Sequence, residues 1–325
     1  MDRRLRHPIG TSAALAALLL SVVGLTAALL TRGETTVTLA LTGDIMLGRS
    51  VALAHTGGGW EQVLAALAPY ASSADLAFAN LESPLTDAPL LHAGHDLRAP
   101  TQAVQALQAA GFDLVSLANN HALDAGTPGL VDTLGALQEA GIEAVGPGSE
   151  ALPVRLQGLA IVWLALDDAG SEADTQMAQT NLAAWRNRAD LLVVSIHWGV
   201  EYQASPSPRQ RRLAAELAAA GADLIVGHHA HVLQPVEWIL GEGRGRSTLV
   251  IFGLGNAIFD QGAPPQARHG ATLLVEVGAG GVRSVRAVAH VIEPGRWEAA
   301  AAGPAQSSAI ASSLTLACDG VRGCR

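Results

Sequence analysis

The chain has no lysine: all 20 basic residues among its 325 are arginines. That excludes a lysine nucleophile and the phosphate-gripping lysine of a Walker-type loop. Aromatic residues are also scarce, at 4%. The hydrophobic 49% must therefore build its core mainly from Ala, Leu and Val, and little is left to stack a nucleobase. No basic cluster offsets the formal net charge of −9, which argues against nucleic acid, because phosphates would meet no neutralising surface. Cysteine occurs only at Cys318 and Cys324. In an oxidising compartment the two can close a small loop, or they can remain free thiols. No internal repeat of fixed period is present.

One long uncharged run stands out. Ile9 to Leu30 follows Arg3, Arg4 and Arg6, and at ~1.5 Å per residue it is about long enough to cross a bilayer. The basic flank is expected on the cytoplasmic side, with everything after Arg32 outside. We read it as an uncleaved signal-anchor. The small residues Thr26-Ala27-Ala28 leave a cleaved signal, and a secreted protein, as the alternative. Residues 1–33 are thus a flank and membrane helix, 34–293 the main domain, and 294–325, rich in Ala, Gly and Ser, a low-complexity tail.

Between these ends, β-favouring runs alternate with helical ones. Strands are expected at 35–42, 75–79, 113–118, 142–145, 159–166, 191–196, 222–226 and 248–252, with a closing hairpin over 271–277 and 282–291. Helices are expected at 61–68, 101–110, 128–140, 182–188 and 208–220. Pro128 starts one and Gly141 stops it. Alternation in the middle with β-rich ends suggests two stacked sheets covered by helices.

Polar motifs follow the strands: Gly43-Asp44, Asn80-Leu81-Glu82, Asn119-Asn120-His121, His197-Trp198-Gly199, His229-Ala230-His231 and Gly255-Asn256. Ligands of α/β folds collect beyond the carboxyl ends of strands, where these lie. Alone, Asp44 reads as a turn residue, Glu82 as a helix cap and His197 as a satisfied core histidine. Two carboxamides and an imidazole at 119–121 are costly near a core unless something satisfies them. His229 and His231, at i and i+2 of an extended segment, would point the same way while His228 points aside. Glu201 can orient an imidazole, and Asn256 can serve the turn or face substrate. Together the set supplies the oxygen and nitrogen ligands of one or two hydrolytic metal ions, with Mn, Fe, Zn and Mg all admissible.

The series resembles the poly-γ-glutamate capsule biosynthesis (CapA-like) family, itself similar to calcineurin-like metallophosphoesterases. The resemblance rests on Asn80-Leu81-Glu82-Ser83-Pro84, on the run Leu117 to Asp124, on His197 to Tyr202 and on Gly253-Leu254-Gly255-Asn256. It implies an α/β fold, a four-layer α/β/β/α sandwich. It further implies Asp44 as the first metal carboxylate, Glu82 as the bridging one, Asn120 as amide ligand, and His197, His229 and His231 as imidazole ligands. Water activated by the ions would attack phosphorus, or a carbonyl carbon if an amide is the target, and His121 would protonate the leaving atom. Asn119, Glu201, His228 and Asn256 would support the site or meet substrate. Two departures stand out: Met46 occupies the place where ordinary phosphoesterases carry a histidine, and His228 adds an imidazole. The expected partners are an anionic polymer of the poly-γ-glutamate type, the membrane and other capsule synthase subunits.

Overall fold

The computed structural model describes residues 35–91, 94–148, 150–169, 175–240 and 246–314. The membrane-segment reading and the Cys318–Cys324 pairing lie outside these residues. Among the described helices none is long and apolar enough to cross a membrane.

Among the described residues fourteen strands make up two sheets: β1 (Thr36–Ile45), β2 (Leu76–Leu81), β3 (Leu114–Ser116), β4 (Glu143–Val145), β5 (Leu152–Leu156), β6 (Leu159–Asp167), β7 (Leu191–His197), β8 (Leu224–His228), β9 (Leu233–Leu240), β10 (Ser247–Leu254), β11 (Asn256–Ile258), β12 (His269–Gly278), β13 (Gly281–Glu293) and β14 (Glu298–Ala301). The first sheet runs β14-β13-β12-β1-β2-β3-β4, with β11 paired to β1. The second runs β5-β6-β7-β8-β10-β9. β1, β2 and β3 are mutually parallel, as are β6, β7, β8 and β10. Both sets therefore end toward the same kind of edge.

The sheets face each other across an apolar layer in which Phe78 stacks on Trp163 at 4.6 Å between ring centroids. Outside the first sheet pack the helices Val104–Ala110 and Gly126–Ala140, and outside the second pack Thr175–Trp185 and Pro208–Ala220. The order is helix, sheet, sheet, helix. Because the parallel strands are covered on both faces, they read as continuous apolar runs. The helix Pro208–Ala220 starts where local chemistry requires: Ser207 and Gln210 form a reciprocal capping box, with proline at the first helical position.

The C-terminal residues depart from expectation. Instead of a tail from residue 294, β14 extends the first sheet antiparallel to β13, and a helix follows at Pro304–Leu314. Its Ile310 and Leu314 are buried in the layer between the sheets. The unit Thr36–Arg325 thus carries its own cores and every motif residue from Asp44 to Asn256.

Candidate metal centre

Gly43 lets β1 reach the site. A Cβ there would lie 2.0 Å from the Gly255 carbonyl oxygen, so only glycine permits the approach that brings Asp44 N–H to that oxygen at 3.0 Å. Asp44 and Glu82, just past the end of β2, are both 1% exposed. Glu82 N–H donates to the Ile45 carbonyl at 2.8 Å, tying the two carboxylate segments together.

The second sheet brings the imidazoles. His197 ends β7 and His228 ends β8, directly across from it. The chain then bends sharply, with φ of +85° at His229 and +55° at His231. The extended geometry expected for this pair is therefore not the one used. Left-handed residues at both positions turn the two rings inward, at a cost of order 1–3 kcal/mol each, which the surrounding structure has to hold. One ligand atom from each of Glu82, His229 and His231 lies within 4.8 Å of the others, and the same holds for Asp44, Glu82 and His197. Glu82 belongs to both groups. Its Oε1 lies 3.5 Å from His197 Nε2, 3.9 Å from His231 Nε2 and 4.0 Å from His121 Nε2.

Whether these residues suit metal ions is decided by what they lack inside the protein. Glu82 Oε2 and His229 Nδ1 are buried and have no hydrogen-bond partner. Leaving such groups unpaired costs about 1–3 kcal/mol apiece, and a divalent ion would satisfy both. Mixed carboxylate and imidazole ligands suit Mn, Fe, Zn or Mg. The fit is good.

The other motif residues divide into those that join the cluster and those that hold it. Asn120 Oδ1 lies 2.9 Å from His197 Nε2, on the cluster's open side. Asn119 donates to Asn80 Oδ1 and to the Leu81 carbonyl. Asn80, which carried no assignment from sequence, donates to Asp44 Oδ1 at 2.9 Å and contacts His197 Nδ1 at 3.3 Å. Its place beside Glu82 in the same motif was the available signal. Asn256 Oδ1 meets His231 Nδ1 at 3.0 Å, while its amide nitrogen donates to Gln261 and to the Ala267 carbonyl. Both ends of the Asn256 amide are thus bonded within the protein. A proton on His231 Nδ1 leaves Nε2 free to face Glu82.

Two further expectations are corrected. Glu201 orients no described imidazole: it is exposed, and the Tyr202 hydroxyl is pushed up to about 12 by burial and by the charge of Glu201. Nor does His228 point aside, since its Nδ1 approaches Asp44 Oδ1 at 3.3 Å, outside hydrogen-bond geometry. Met46 is absent from the cluster altogether. It is buried in the core, its sulfur accepting the Gly48 N–H at 3.1 Å.

Charge follows the same division. Burial would raise the Asp44 carboxyl, but His228 and His231 hold it well below the usual carboxylate range. Glu82 is lowered too, with burial outweighed by His231 and His197. Burial alone would lower His231, yet Glu82 and Asp44 lift it to about 9. His229, dominated by burial with His197 nearby, falls to about 4. His121 Nδ1 pairs with Asp124 Oδ2 at 2.8 Å; burial is again the largest influence, but Asp124 and Glu82 prevail and raise His121. Asp124, three residues after His121, is a second functional partner that sequence reasoning left unassigned.

Comparison with known proteins settles the lineage. The model of the family described as "Bacterial capsule synthesis protein PGA_cap" matches residues 38–261. The chain belongs to that family. The capsule biosynthesis protein CapA of Bacillus anthracis is 35% identical over 253 residues, covering 69% of this chain and 60% of that protein. The PGA biosynthesis protein CapA of Bacillus subtilis is 32% identical over 243 residues, covering 68% and 62%. The PGA_cap chain thus matches about 60% of the length of these relatives. Among solved structures, the NAD nucleotidase of Haemophilus influenzae superposes with a TM-score of 0.51 at 13% identity, covering 86% of this chain and 56% of that one. At that identity it shows the shared metallophosphoesterase-like fold and nothing of the substrate.

Proposed function

We propose that this protein is an extracytoplasmic, membrane-anchored, metal-dependent hydrolase that acts in the synthesis, export or trimming of an anionic cell-surface polymer of the poly-γ-glutamate type. The observation that carries the reading is the pair of ligand groups sharing Glu82 beside the His121–Asp124 pair. Ions held there by Asp44, Glu82, Asn120, His197, His229 and His231 would lower the pKa of water toward ~7 and stabilise developing negative charge.

The remaining chemistry belongs to the chain. Asn80 and the His229 N–H clamp the Asp44 carboxylate. Asn256 sets the His231 tautomer. Asp124 binds His121 Nδ1, so His121 presents Nε2 toward Glu82 and holds a proton there for the leaving atom. Membrane attachment rests on the uncharged run Ile9 to Leu30 behind its arginine flank. The polymer is suggested by the names of the CapA relatives, a capsule biosynthesis protein and a PGA biosynthesis protein, and synthase subunits as partners are part of the same proposal.

The purified chain should contain stoichiometric divalent metal, and it should cleave an aryl phosphodiester or shorten poly-γ-glutamate. His229→Ala should abolish both properties together. Metal-free protein that still supports polymer assembly would instead favour a non-catalytic scaffold subunit. Met46, sequestered in the core where related phosphoesterases place a ligand, is the observation on that side.

A further inference from the structure

Shortly after Asp44 the chain leaves β1, enters the helix Arg49–Ala54 and opens a groove of about 750 Å³. That volume lies within the ~300–1,000 Å³ usual for ligand sites. Leu53 and Trp60 give the groove apolar walls, while Arg49, His55, Gln102 and Gln105 give it polar groups. Among the described residues no carboxylate lines it, although the chain as a whole carries a net charge of −9.

Two of the polar groups are held with bonding capacity to spare. His55 is only 6% exposed, and its Nε2 is buried without a hydrogen-bond partner. Its ring packs against Trp60 at 5.7 Å between centroids, which fixes it in the wall. Arg49 has φ of +49°, a left-handed conformation that a residue other than glycine keeps only where its surroundings impose it. Its Nη2 bonds Asp260, and its Nε has no partner. Asp260 also accepts the Ser50 N–H at 3.0 Å and stays outside the lining, so the guanidinium is the charge that the groove meets. Arg49 joins the groove to the centre as well. The guanidinium lies over the Phe259 ring at 5.3 Å, and that ring meets His231 edge-on at 4.6 Å.

We propose that this groove is the track on which an acidic, amide-linked chain lies beside the centre. One carboxylate of that chain takes the remaining donors of Arg49, a main-chain amide meets His55 Nε2, and methylene groups rest against Leu53 and Trp60. The inference rests on the reading of an anionic polymer as substrate and gives that polymer a place. The chemistry selects the occupant. A part-buried arginine takes a carboxylate through charge-assisted hydrogen bonds, here sharing its charge with Asp260. A buried ring nitrogen left unpaired regains from an amide what it lost on leaving water. The exposed amides of Gln102 and Gln105 pair with further groups of the same kind. A wall free of acids lets a polyanion approach a protein of this net charge. A purely apolar ligand would leave Arg49 and His55 unpaired, and a polyphosphate would make no use of the apolar wall.

The test titrates the purified full chain against a fluorescein-labelled hexamer of γ-linked glutamate and reads anisotropy. It is run with Mn²⁺ and again after chelation, so that attraction by ions is separated from attraction by the groove. In both forms the same hexamer with its side carboxyls amidated should bind at least tenfold more weakly. Arg49→Gln should weaken binding of the acidic hexamer at least tenfold. Leu53 is 73% exposed at the rim, so a charge there costs the fold little and decides the matter should the arginine variant fail to fold. Leu53→Glu should weaken the acidic hexamer at least fivefold, and Leu53→Arg should tighten it. Equal affinity for the two hexamers after chelation would overturn the proposal, as would binding indifferent to both Leu53 substitutions. Displacement by a polyphosphate of equal charge at the same concentration as by unlabelled hexamer would overturn the choice of an amide-linked chain. Discrimination between the hexamers with no turnover of any ester or amide would sink the hydrolase reading and leave the groove assigned; turnover of an aryl phosphodiester with no discrimination would do the reverse.

Discussion

The first sheet carries the acids and amides of the site, Asp44, Glu82, Asn120 and the nearby His121, whereas the second carries His197, His228, His229 and His231. Neither sheet can hold an ion alone. The acids on the first are buried and ionised only because the imidazoles on the second offset the cost of desolvating them. The imidazoles are in turn pulled in opposite directions. His231, beside both carboxylates and held by Asn256, is driven toward its charged form, while His229, beside His197, is driven toward neutrality. The lesson is that the centre is an interface between sheets, so anything that changes one side should be read out on the other.

Glu82 is where the two sides meet, and its removal should have the largest effect. Glu82→Gln keeps the shape but takes the shared charge from both ligand groups. Metal content should fall from about two ions per chain to less than one, and hydrolysis should become undetectable. Plasma emission spectroscopy on the purified variant reads the first quantity directly. Retention of full metal by Glu82→Gln would break the claim that this carboxylate serves both groups.

Next in size is His121, the proton donor of the proposed reaction. His121→Asn should lower kcat by about 10²–10⁴-fold with metal content unchanged. Because His121 must be protonated to act, and its pKa is raised above the ordinary histidine value, activity should be lost as pH rises through that raised pKa. Asp124→Asn removes one of the influences that raise it and should move the alkaline limb to lower pH. An unmoved limb would show that some other group titrates.

A smaller effect is expected at Asn256, whose side chain bonds His231 and none of the other described ligands. Asn256→Ala frees the ring to adopt the wrong tautomer and should weaken metal binding by about 10–100-fold, leaving kcat at saturating metal nearly intact. Competition with a chromophoric chelator measures this. A fall in kcat without a change in affinity would assign Asn256 to substrate instead.

How much of this could be read beforehand differs between elements for physical reasons. The strand-end motifs were legible because buried parallel strands such as Leu191–His197 read as unbroken apolar runs that stop abruptly at a polar residue. The inward convergence of His229 and His231 was foreseen on the wrong local geometry, since nothing in Gly227 to His231 announces two left-handed residues without glycine. β9 was missed because Pro235 interrupts it; proline is tolerated there since β9 is an edge strand. The helix Pro304–Leu314 escaped notice because Ala and Ser dominate it and only Ile310 and Leu314 are buried. Glu201 and Asn256 show the limit most plainly. Their neighbours in sequence say little about which atoms they meet across a fold.

The opposed histidines also make a prediction about the metal-free protein, the smallest of the set. His231 has its pKa raised to about 9, from ~6.5 in an unfolded chain. Its stabilising contribution is therefore complete below ~6.5 and is lost as pH rises through about 9. For His229 and the fully buried His290 both pKa values fall to about 4, chiefly through burial, so their contributions are complete above ~6.5 and are lost as pH falls toward 4. The lowered carboxyls of Asp44 and Glu82 act in the same direction on the acid side. The thermal midpoint of metal-free protein should accordingly peak at about pH 6.5 and drop by a few degrees on either side. The alkaline drop depends on His231, so His231→Gln should flatten that limb; it should also weaken the acid limb, because His231 helps to hold the Asp44 and Glu82 carboxyls low. An alkaline limb that survives His231→Gln unchanged would mean that the two carboxylates do not hold this imidazole charged across the sheet interface.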